Sequence, residues 1–133
     1  MVTEGAARAA FSLGKSYLDL VRIRRGDIPK PTDAVVLPKT EEQVLSVLAL
    51  AEREGFSVIP FGGGTSVVGG VEPRGEAPSV TMDMALMSGV GRIDAESLTA
   101  TVGPGTLGPE LERELAVAGF TLGHFPQSFE FST

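Results

Sequence analysis

The segment that most restricts the fold is the glycine-rich run at 60–70, which reads PFGGGTSVVGG. It follows a short apolar stretch and holds five glycines, one threonine and one serine but no charged side chain. Consecutive glycines reach backbone conformations closed to other residues, so several N–H groups can converge and form an anion-binding concavity. Thr65 and Ser66 add hydroxyl donors without adding charge. The run therefore predicts a site that holds a phosphate or pyrophosphate by dipoles.

The composition limits the class of protein. The 133 residues, 42% hydrophobic and 21% charged, fit one soluble globular domain with a core. A net charge of −6 argues against nucleic acid binding, which depends on Lys and Arg. No apolar run approaches the ~20 residues of a membrane helix, and the N-terminus lacks the features of a signal peptide. The chain has no cysteine and one histidine, which argues against disulfides, thiol nucleophiles and His-rich metal sites, and we expect a cytoplasmic protein.

Apolar periodicity and turn residues predict an α+β fold without internal repeats. Thr40 and Gln43 form a Thr-x-x-Gln capping box, and Pro109 suits the first position of a later helix. Helices are expected over 3–22, between Thr40 and Gly55, and over 109–118. Short strands are expected at 34–37, 57–60, 80–84, 90–94, 98–102 and 120–122.

The chain divides into an N-terminal helix and connector at 1–28 and a folded portion at 29–133. At the C-terminus, Glu130 alternates with two phenylalanines and is expected to face away from the core that they join. This alternation stops at Thr133 without a cap or polar tail, so we expect a part of a longer protein. Six apolar residues are expected to form the buried side of the second helix: Val44, Leu45, Val47, Leu48, Leu50 and Ala51.

Two other glycine-containing patterns are alternative candidates for a phosphate-binding site. Residues 14–16, Gly-Lys-Ser, match the end of a P-loop, but Ala9 stands where that motif needs its first glycine. This pattern also lies inside the expected helix, so we interpret it as a solvated helix position.

The second competitor is a G-x-G-x-x-G motif at Gly103, Gly105 and Gly108, between a strand and a helix. Pro104 removes a backbone donor, and Glu110 in the first helical turn would repel phosphate groups. No βαβ repeat follows. We interpret this motif as a tight turn that enters a helix.

The run at 60–70 differs because no helix pattern follows it, so the loop itself must hold any anion. The alternative is a flexible linker, since glycine-rich stretches often are linkers. Four apolar residues would tie the loop to a core: Phe61, Val67, Val68 and Val71. This favours phosphate binding.

These residues resemble a known family. Residues 60–66, PFGGGTS, are similar to the first FAD-pyrophosphate loop of the vanillyl-alcohol oxidase type flavoproteins, whose FAD-binding domain is also called PCMH-type. Residues 35–44 resemble the entry strand and first helix of that domain, and segments between 87 and 105 resemble its next strands. The resemblance implies that residues 29–133 are the N-terminal part of an incomplete PCMH-type FAD-binding domain. They would form the first of two α+β subdomains that cradle FAD, with a small mixed sheet and flanking helices.

Residues 123–133, GHFPQSFEFST, resemble the alkylglycerone-phosphate synthase (alkyldihydroxyacetonephosphate synthase) group, where Ser-x-Glu-Phe-Ser-Thr is a second FAD-contacting stretch. Phe125 departs from that group, in which an acidic residue is common there, and Gln127 stands where aspartate is common. The resemblance implies cofactor contacts at Pro60, Phe61, Gly62, Gly63, Gly64, Thr65, Ser66, Gln127, Ser128, Phe129, Glu130, Phe131, Ser132 and Thr133.

The resemblance also implies the function. FAD would be noncovalent, because Thr65 stands near the position where some relatives carry a FAD-linking histidine, and the chain has no cysteine. The whole protein would exchange an acyl group for a fatty alcohol in ether-lipid synthesis, acting on a lipid-precursor or other small-molecule substrate. A FAD-linked 2-hydroxy-acid oxidase or dehydrogenase, of the D-lactate or glycolate type, and a non-catalytic nucleotide-binding module are the alternatives. The catalytic residues would lie beyond Thr133, and a homodimer is left open.

Overall fold

The computed structural model describes residues 5–133, apart from the side chain of Ala6. Helices and strands alternate irregularly along this range, which confirms the α+β class predicted from the sequence. In chain order the elements are α1 (Gly5–Ala10), α2 (Tyr17–Arg25), β1 (Ala34–Val36), α3 (Glu41–Glu54), β2 (Ser57–Phe61), β3 (Ser79–Asp83), β4 (Val90–Asp94), β5 (Thr99–Val102) and α4 (Gly108–Val117).

The strands form two separate sheets. The first is parallel and has the order β1-β3-β2, with Thr81 of the central strand between Val35 and Ile59. In the second, β4 and β5 form an antiparallel pair with an irregularity between Val90 and Ile93. We expected one mixed sheet with parallel and antiparallel strands. The structure instead has the parallel strands in one sheet and the antiparallel strands in another.

The central strand β3 is buried along most of its length, and its polar side chains take part in the packing. Thr81 is fully buried, and its hydroxyl donates to the carbonyl of Phe11 at 3.3 Å. The hydroxyl of Thr32, also fully buried, donates to the carbonyl of Ser79 at 3.1 Å. These bonds satisfy groups that would otherwise be costly to bury. They also join the chain before β1 to the middle of the sheet.

The helix ends follow the predicted signals. The Thr40 hydroxyl accepts from the Gln43 amide at 3.4 Å, and α3 ends at Gly55 in the left-handed conformation. The capping box is only half formed, because the Gln43 carboxamide accepts from the Lys39 amide at 2.7 Å instead of from Thr40. Pro109 lies in the first turn of α4, as expected. No helix among residues 5–133 is both long enough and apolar enough to cross a membrane.

The prediction of one helix over 3–22 is wrong within the described residues; positions 3 and 4 lie outside them. A turn at 11–16 separates α1 from α2. Ser16 fixes the start of α2 as its N-cap: its hydroxyl accepts from the Asp19 amide at 3.1 Å, and its amide donates to the Asp19 carboxylate at 3.2 Å. Local capping therefore overrides the apolar periodicity.

The prediction of a strand at 120–122 is also wrong, because the structure has no regular element there. The Glu112 carboxylate of α4 instead accepts from the Thr121 hydroxyl at 2.7 Å and from the amides of Leu122 and Gly123 at 3.1 Å each. These bonds turn the backbone back towards the helix, so its donors are not available to a sheet.

Two predictions of burial are wrong as well. On α3 only Ala51 is buried, while Leu45, Leu48 and Leu50 are exposed to 65%, 46% and 40%. The reason is that α3 packs mainly on β2, so residues 5–133 leave part of its apolar face uncovered. At the C-terminus the residues around Glu130 form a turn rather than a strand, and Phe131 is 63% exposed.

Candidate functional site

The glycine-rich run leaves the parallel sheet at the carboxyl end of β2. This edge is where open α/β sheets commonly bind ligands. Gly64 is buried and has φ +65°, a left-handed conformation that favours glycine. A Cβ at Gly64 would also come within 3.1 Å of the Phe61 ring, which itself packs edge-on against Phe11 with centroids 4.9 Å apart. Phe61 and Gly64 therefore hold the start of the loop against the core, which argues against a flexible linker. Val71 is buried as predicted, but Val67 and Val68 are 64% and 83% exposed, so the prediction that these two tie the loop to a core is wrong.

The backbone amides at 62–66 of the loop have no hydrogen-bond acceptor among residues 5–133. Among the residues that the structure describes, the N–H groups of 62–66 donate none of the hydrogen bonds, whereas the Ser66 carbonyl accepts from the Lys15 amide at 2.8 Å. The Ser66 hydroxyl accepts from the Gly70 amide at 2.9 Å. Buried or half-buried amides normally have a partner. A row of successive free donors in a fixed loop is suited to an anion.

The C-terminal segment meets this loop directly. The hydroxyl oxygens of Thr65 and Ser132 lie 3.2 Å apart. A Cβ at Gly62 would lie 3.1 Å from the Cβ of Thr133, and a Cβ at Gly63 would overlap the carbonyl oxygen of the residue at 131. The absence of a side chain at Gly63 lets the two backbones touch, and its absence at Gly62 makes room for the Thr133 side chain.

The C-terminal segment is shaped by turns and anchored on α4. The amide of Phe129 donates to the Pro126 carbonyl at 3.0 Å, and that of Ser132 donates to the Ser128 carbonyl at 2.9 Å. The Gly108 amide at the start of α4 donates to the Ser132 carbonyl at 3.0 Å. This bond fixes the position of the segment beside the glycine loop.

The structure places the sequence-predicted cofactor residues in three groups. Phe61, Gly64 and Ser66 are held within the loop, where Phe61 packs on Phe11, Gly64 is buried, and the Ser66 carbonyl accepts from the Lys15 amide. Gln127 and Glu130 are exposed, Pro60 lies in β2, and the half-buried Ser128 and Phe129 take part in the turns. Those that meet where the two segments touch are Gly62, Gly63, Thr65, Phe131, Ser132 and Thr133. The contact of each residue with FAD stays a prediction.

The G-x-G-x-x-G motif is confirmed as a structural turn. The amide of Gly103 donates to the Gly89 carbonyl at 2.9 Å, and that of Gly105 donates to the Met87 carbonyl at 3.1 Å. The third glycine, Gly108, is the one bonded to Ser132. All three amides are occupied by protein, so this motif offers no equivalent set of donors to a phosphate.

Sequence reasoning missed the role of the Gly-Lys-Ser pattern at 14–16. Gly14 is buried, and a Cβ there would overlap the carbonyl oxygen of Ser66 and lie 3.0 Å from its carbonyl carbon. The interpretation as a solvated helix position is therefore wrong at Gly14. The signal that could have found this turn is the cluster of Ser12, Gly14 and Ser16, which is typical of a break between helices.

A small pocket lies between α4 and the C-terminal segment. Its volume is about 100 Å³, and its lining includes Leu111, Leu122, His124 and Phe129. Ligand pockets usually measure about 300–1,000 Å³, so this one is too small to enclose a dinucleotide. Within residues 5–133, no three His, Asp or Glu side chains gather in a way that could hold a metal ion.

Comparisons with known proteins agree with this geometry. Residues 31–133 match the family described as FAD binding domain. The chain is 42% identical over 130 residues to the alkyldihydroxyacetonephosphate synthase of Trypanosoma brucei brucei, covering 96% of this chain and 21% of that protein. With glycolate oxidase subunit GlcD of Bacillus subtilis it is 29% identical over 101 residues, which cover 76% of this chain and 21% of that one. A solved structure of alkyldihydroxyacetonephosphate synthase matches with a TM-score of 0.93 at 41% identity, covering 99% of this chain and 25% of that one.

The α+β core, the parallel sheet and the glycine loop define part of a PCMH-type FAD-binding domain. The chain belongs to the FAD binding domain family, and within that family it is related to alkyldihydroxyacetonephosphate synthase. It spans about a fifth to a quarter of the length of these relatives, by the shares of 21% and 25%.

Proposed function

We propose that this chain holds the pyrophosphate of FAD in a flavoenzyme of the alkyldihydroxyacetonephosphate synthase type. The observation that supports the proposal is the row of amides at 62–66 that have no hydrogen-bond partner within residues 5–133. They lie in a loop that contacts both the core and the C-terminal segment. A pyrophosphate presents several anionic oxygens, and converging N–H dipoles stabilise such a group without a lysine.

The hydroxyl groups of the loop fit the same ligand. Because the Ser66 oxygen already accepts from the Gly70 amide, its own hydrogen is left to donate to a phosphate oxygen. In the pair formed by Thr65 and Ser132, one hydroxyl donates to the other, so the second hydrogen remains for the ligand. The hydroxyl groups of these side chains thus add hydrogen-bond donors to those of the loop amides.

FAD supplies the redox chemistry of such enzymes, while the protein supplies binding, orientation and electrostatics. The proposed role of this chain is the orientation of one end of FAD, which the amides at 62–66 hold noncovalently. Thr65 stands near the position where some relatives carry a FAD-linking histidine, and the chain has no cysteine. The cytoplasmic location stays a prediction, and a homodimer stays an open alternative.

The chain supplies one wall of the proposed site. The pocket of about 100 Å³ beside the C-terminal segment is smaller than a dinucleotide site requires. The other walls and the substrate site are proposed to come from the remaining length of a protein like its relatives. We propose that the whole protein exchanges an acyl group for a fatty alcohol, because this chain is 42% identical to synthases and 29% identical to the glycolate oxidase subunit.

The proposal is tested by a carboxylate placed in the loop. Ser66→Asp keeps an acceptor for the Gly70 amide but puts a negative charge beside the phosphates. We expect the Kd for FAD to rise about a hundredfold or more, because like charges in contact cost several kcal/mol. Ser88→Asp is the matched control, since it adds the same charge at an exposed serine outside the site.

FAD fluorescence quenching measures the Kd on the whole protein, and flavin absorbance after purification reports its occupancy. Ser66→Asp protein that retains bound FAD would refute the loop as the pyrophosphate site. Binding of ADP as tightly as FAD, with no preference for the flavin, would instead favour the non-catalytic nucleotide module.

A further inference from the structure

The turn at 11–16, between α1 and α2, contacts the glycine loop although it precedes residues 31–133 that match the family. The Lys15 amide donates to the Ser66 carbonyl oxygen at 2.8 Å. Gly14 is buried against the same carbonyl group, with no room for a Cβ. Two successive residues of the turn therefore touch one peptide group of the loop.

The turn is itself held by several contacts. Ser16 and Asp19 form a reciprocal capping box, and Asp19 is only 2% exposed. Thr81 of the central strand donates from its hydroxyl to the Phe11 carbonyl at 3.3 Å. The Phe11 ring packs edge-on against Phe61, the last residue of β2 before the loop. These bonds make the turn a fixed support.

The bond to the Ser66 carbonyl fixes the backbone at the end of the row of N–H groups at 62–66. In a loop whose N–H groups converge on one point, carbonyl groups point away and need donors of their own. Lys15 supplies that donor and so fixes the peptide plane between Ser66 and Val67. A binding loop that is ordered before its ligand arrives loses less conformational entropy on binding.

We propose that the turn at 11–16 is a positioning element for the pyrophosphate loop, with Gly14 and the backbone of Lys15 as its contact residues. This inference rests on the proposed function of the loop and extends the site to residues outside the family match. Glycine is needed at 14 because a side chain would displace the Ser66 carbonyl. Backbone strain plays no part, since Gly14 is not among the glycines with positive φ.

Gly14→Ala tests the proposal, and Gly5→Ala is the matched control because a Cβ at Gly5 meets no atom within 4 Å. We expect Gly14→Ala to shift the amide resonances of residues 64–67 in the ligand-free protein and to raise the Kd for FAD about tenfold or more. Gly5→Ala is expected to do neither. A folded Gly14→Ala protein, judged by its thermal unfolding curve, with a Kd within about twofold of the unmodified value overturns the proposal.

A second pair of variants keeps the test decisive if Gly14→Ala does not fold. Ser16→Ala removes the cap that shapes the turn, whereas Ser16→Thr keeps a capping hydroxyl. We expect Ser16→Ala to raise the Kd for FAD about fivefold and Ser16→Thr to restore it. Equal affinity of the two variants overturns the positioning role.

The same titrations separate this inference from the proposed function. If FAD changes the amide resonances of other residues but not those of 62–66 in the unmodified protein, the proposed function fails. The positioning role then fails with it. If FAD shifts the amides of 62–66 but Gly14→Ala and Ser16→Ala bind it normally, only the positioning role fails.

Discussion

The hydroxyl oxygens of Thr65 and Ser132 lie 3.2 Å apart although 67 positions separate the two residues in the chain. This contact joins the two segments that resemble FAD-binding stretches of a flavoprotein family. The sequence alone does not show that these two segments lie close together in space. Their meeting is a property of the fold, and it turns two separate motifs into one candidate site.

The contact between Thr65 and Ser132 should be measurable as a coupling energy. We expect Thr65→Ala and Ser132→Ala each to lower the free energy of unfolding by about 0.5–1.5 kcal/mol, because each leaves a partly buried hydroxyl without its partner. In the double variant the losses should not add. Urea unfolding of the four proteins in a double-mutant cycle provides the test, and a coupling energy of zero would show that the two hydroxyls do not interact.

Gly63→Ala should separate the two segments. Its Cβ would overlap the Phe131 carbonyl oxygen and come 2.6 Å from the carbonyl carbon, so the backbone must move. We expect a loss of stability of about 1–3 kcal/mol and a loss of FAD binding. Gly91→Ala is the control, because its Cβ would be 3.4 Å from the nearest atom, an ordinary contact. Equal unfolding curves and equal FAD affinity for the two variants would contradict the close approach.

Gly105→Ala should act on stability and not on the cofactor directly. A Cβ at Gly105 would overlap the Met84 carbonyl oxygen, and the Gly105 amide is already bonded to Met87. We expect a loss of about 1–3 kcal/mol in the free energy of unfolding. In the fraction that stays folded, the Kd for FAD should match that of the unmodified protein. A stable variant that fails to bind FAD would mean that the G-x-G-x-x-G motif contacts the cofactor.

Asp94 should contribute to the acid dependence of stability. The amide of Ser97 donates to its carboxylate at 3.0 Å, and this bond is the main cause that lowers the pKa of Asp94 below its usual value. Because the folded pKa is the lower one, the stabilisation is present above the unfolded pKa and is lost as the pH falls through the folded pKa. Asp94→Asn should therefore flatten the decline of stability in that window, as measured by urea unfolding at several pH values. An unchanged slope would contradict the assignment.

Local signals account for what the sequence could predict. The glycine run at 60–66 and the Thr40 cap depend on neighbouring residues, so spacing and residue type were enough to find them. The turn at 103–108 was also recognised, because Pro104 and an acidic helix start argue against a phosphate there.

Long-range packing accounts for what the sequence could not predict. The contact of Gly14 with Ser66 depends on the turn between α1 and α2. The apolar pattern over 3–22 instead favoured one continuous helix. Periodicity also places Leu45 and Leu48 on the buried side of α3, but both are exposed among the residues that the structure describes. Hydrophobic pattern predicts which face seeks a partner and does not identify that partner.

The most direct measurement is an amide-resolved NMR titration of the ¹⁵N-labelled protein with FAD. If the glycine loop holds the pyrophosphate, the largest shifts will fall on the amides of 62–66, which have no partner among the described residues. The amides of Gly103, Gly105 and Gly108 are already bonded to protein carbonyls and should move little. Largest shifts at these three glycines, or unmoved amides at 62–66 under saturating FAD, would contradict the account.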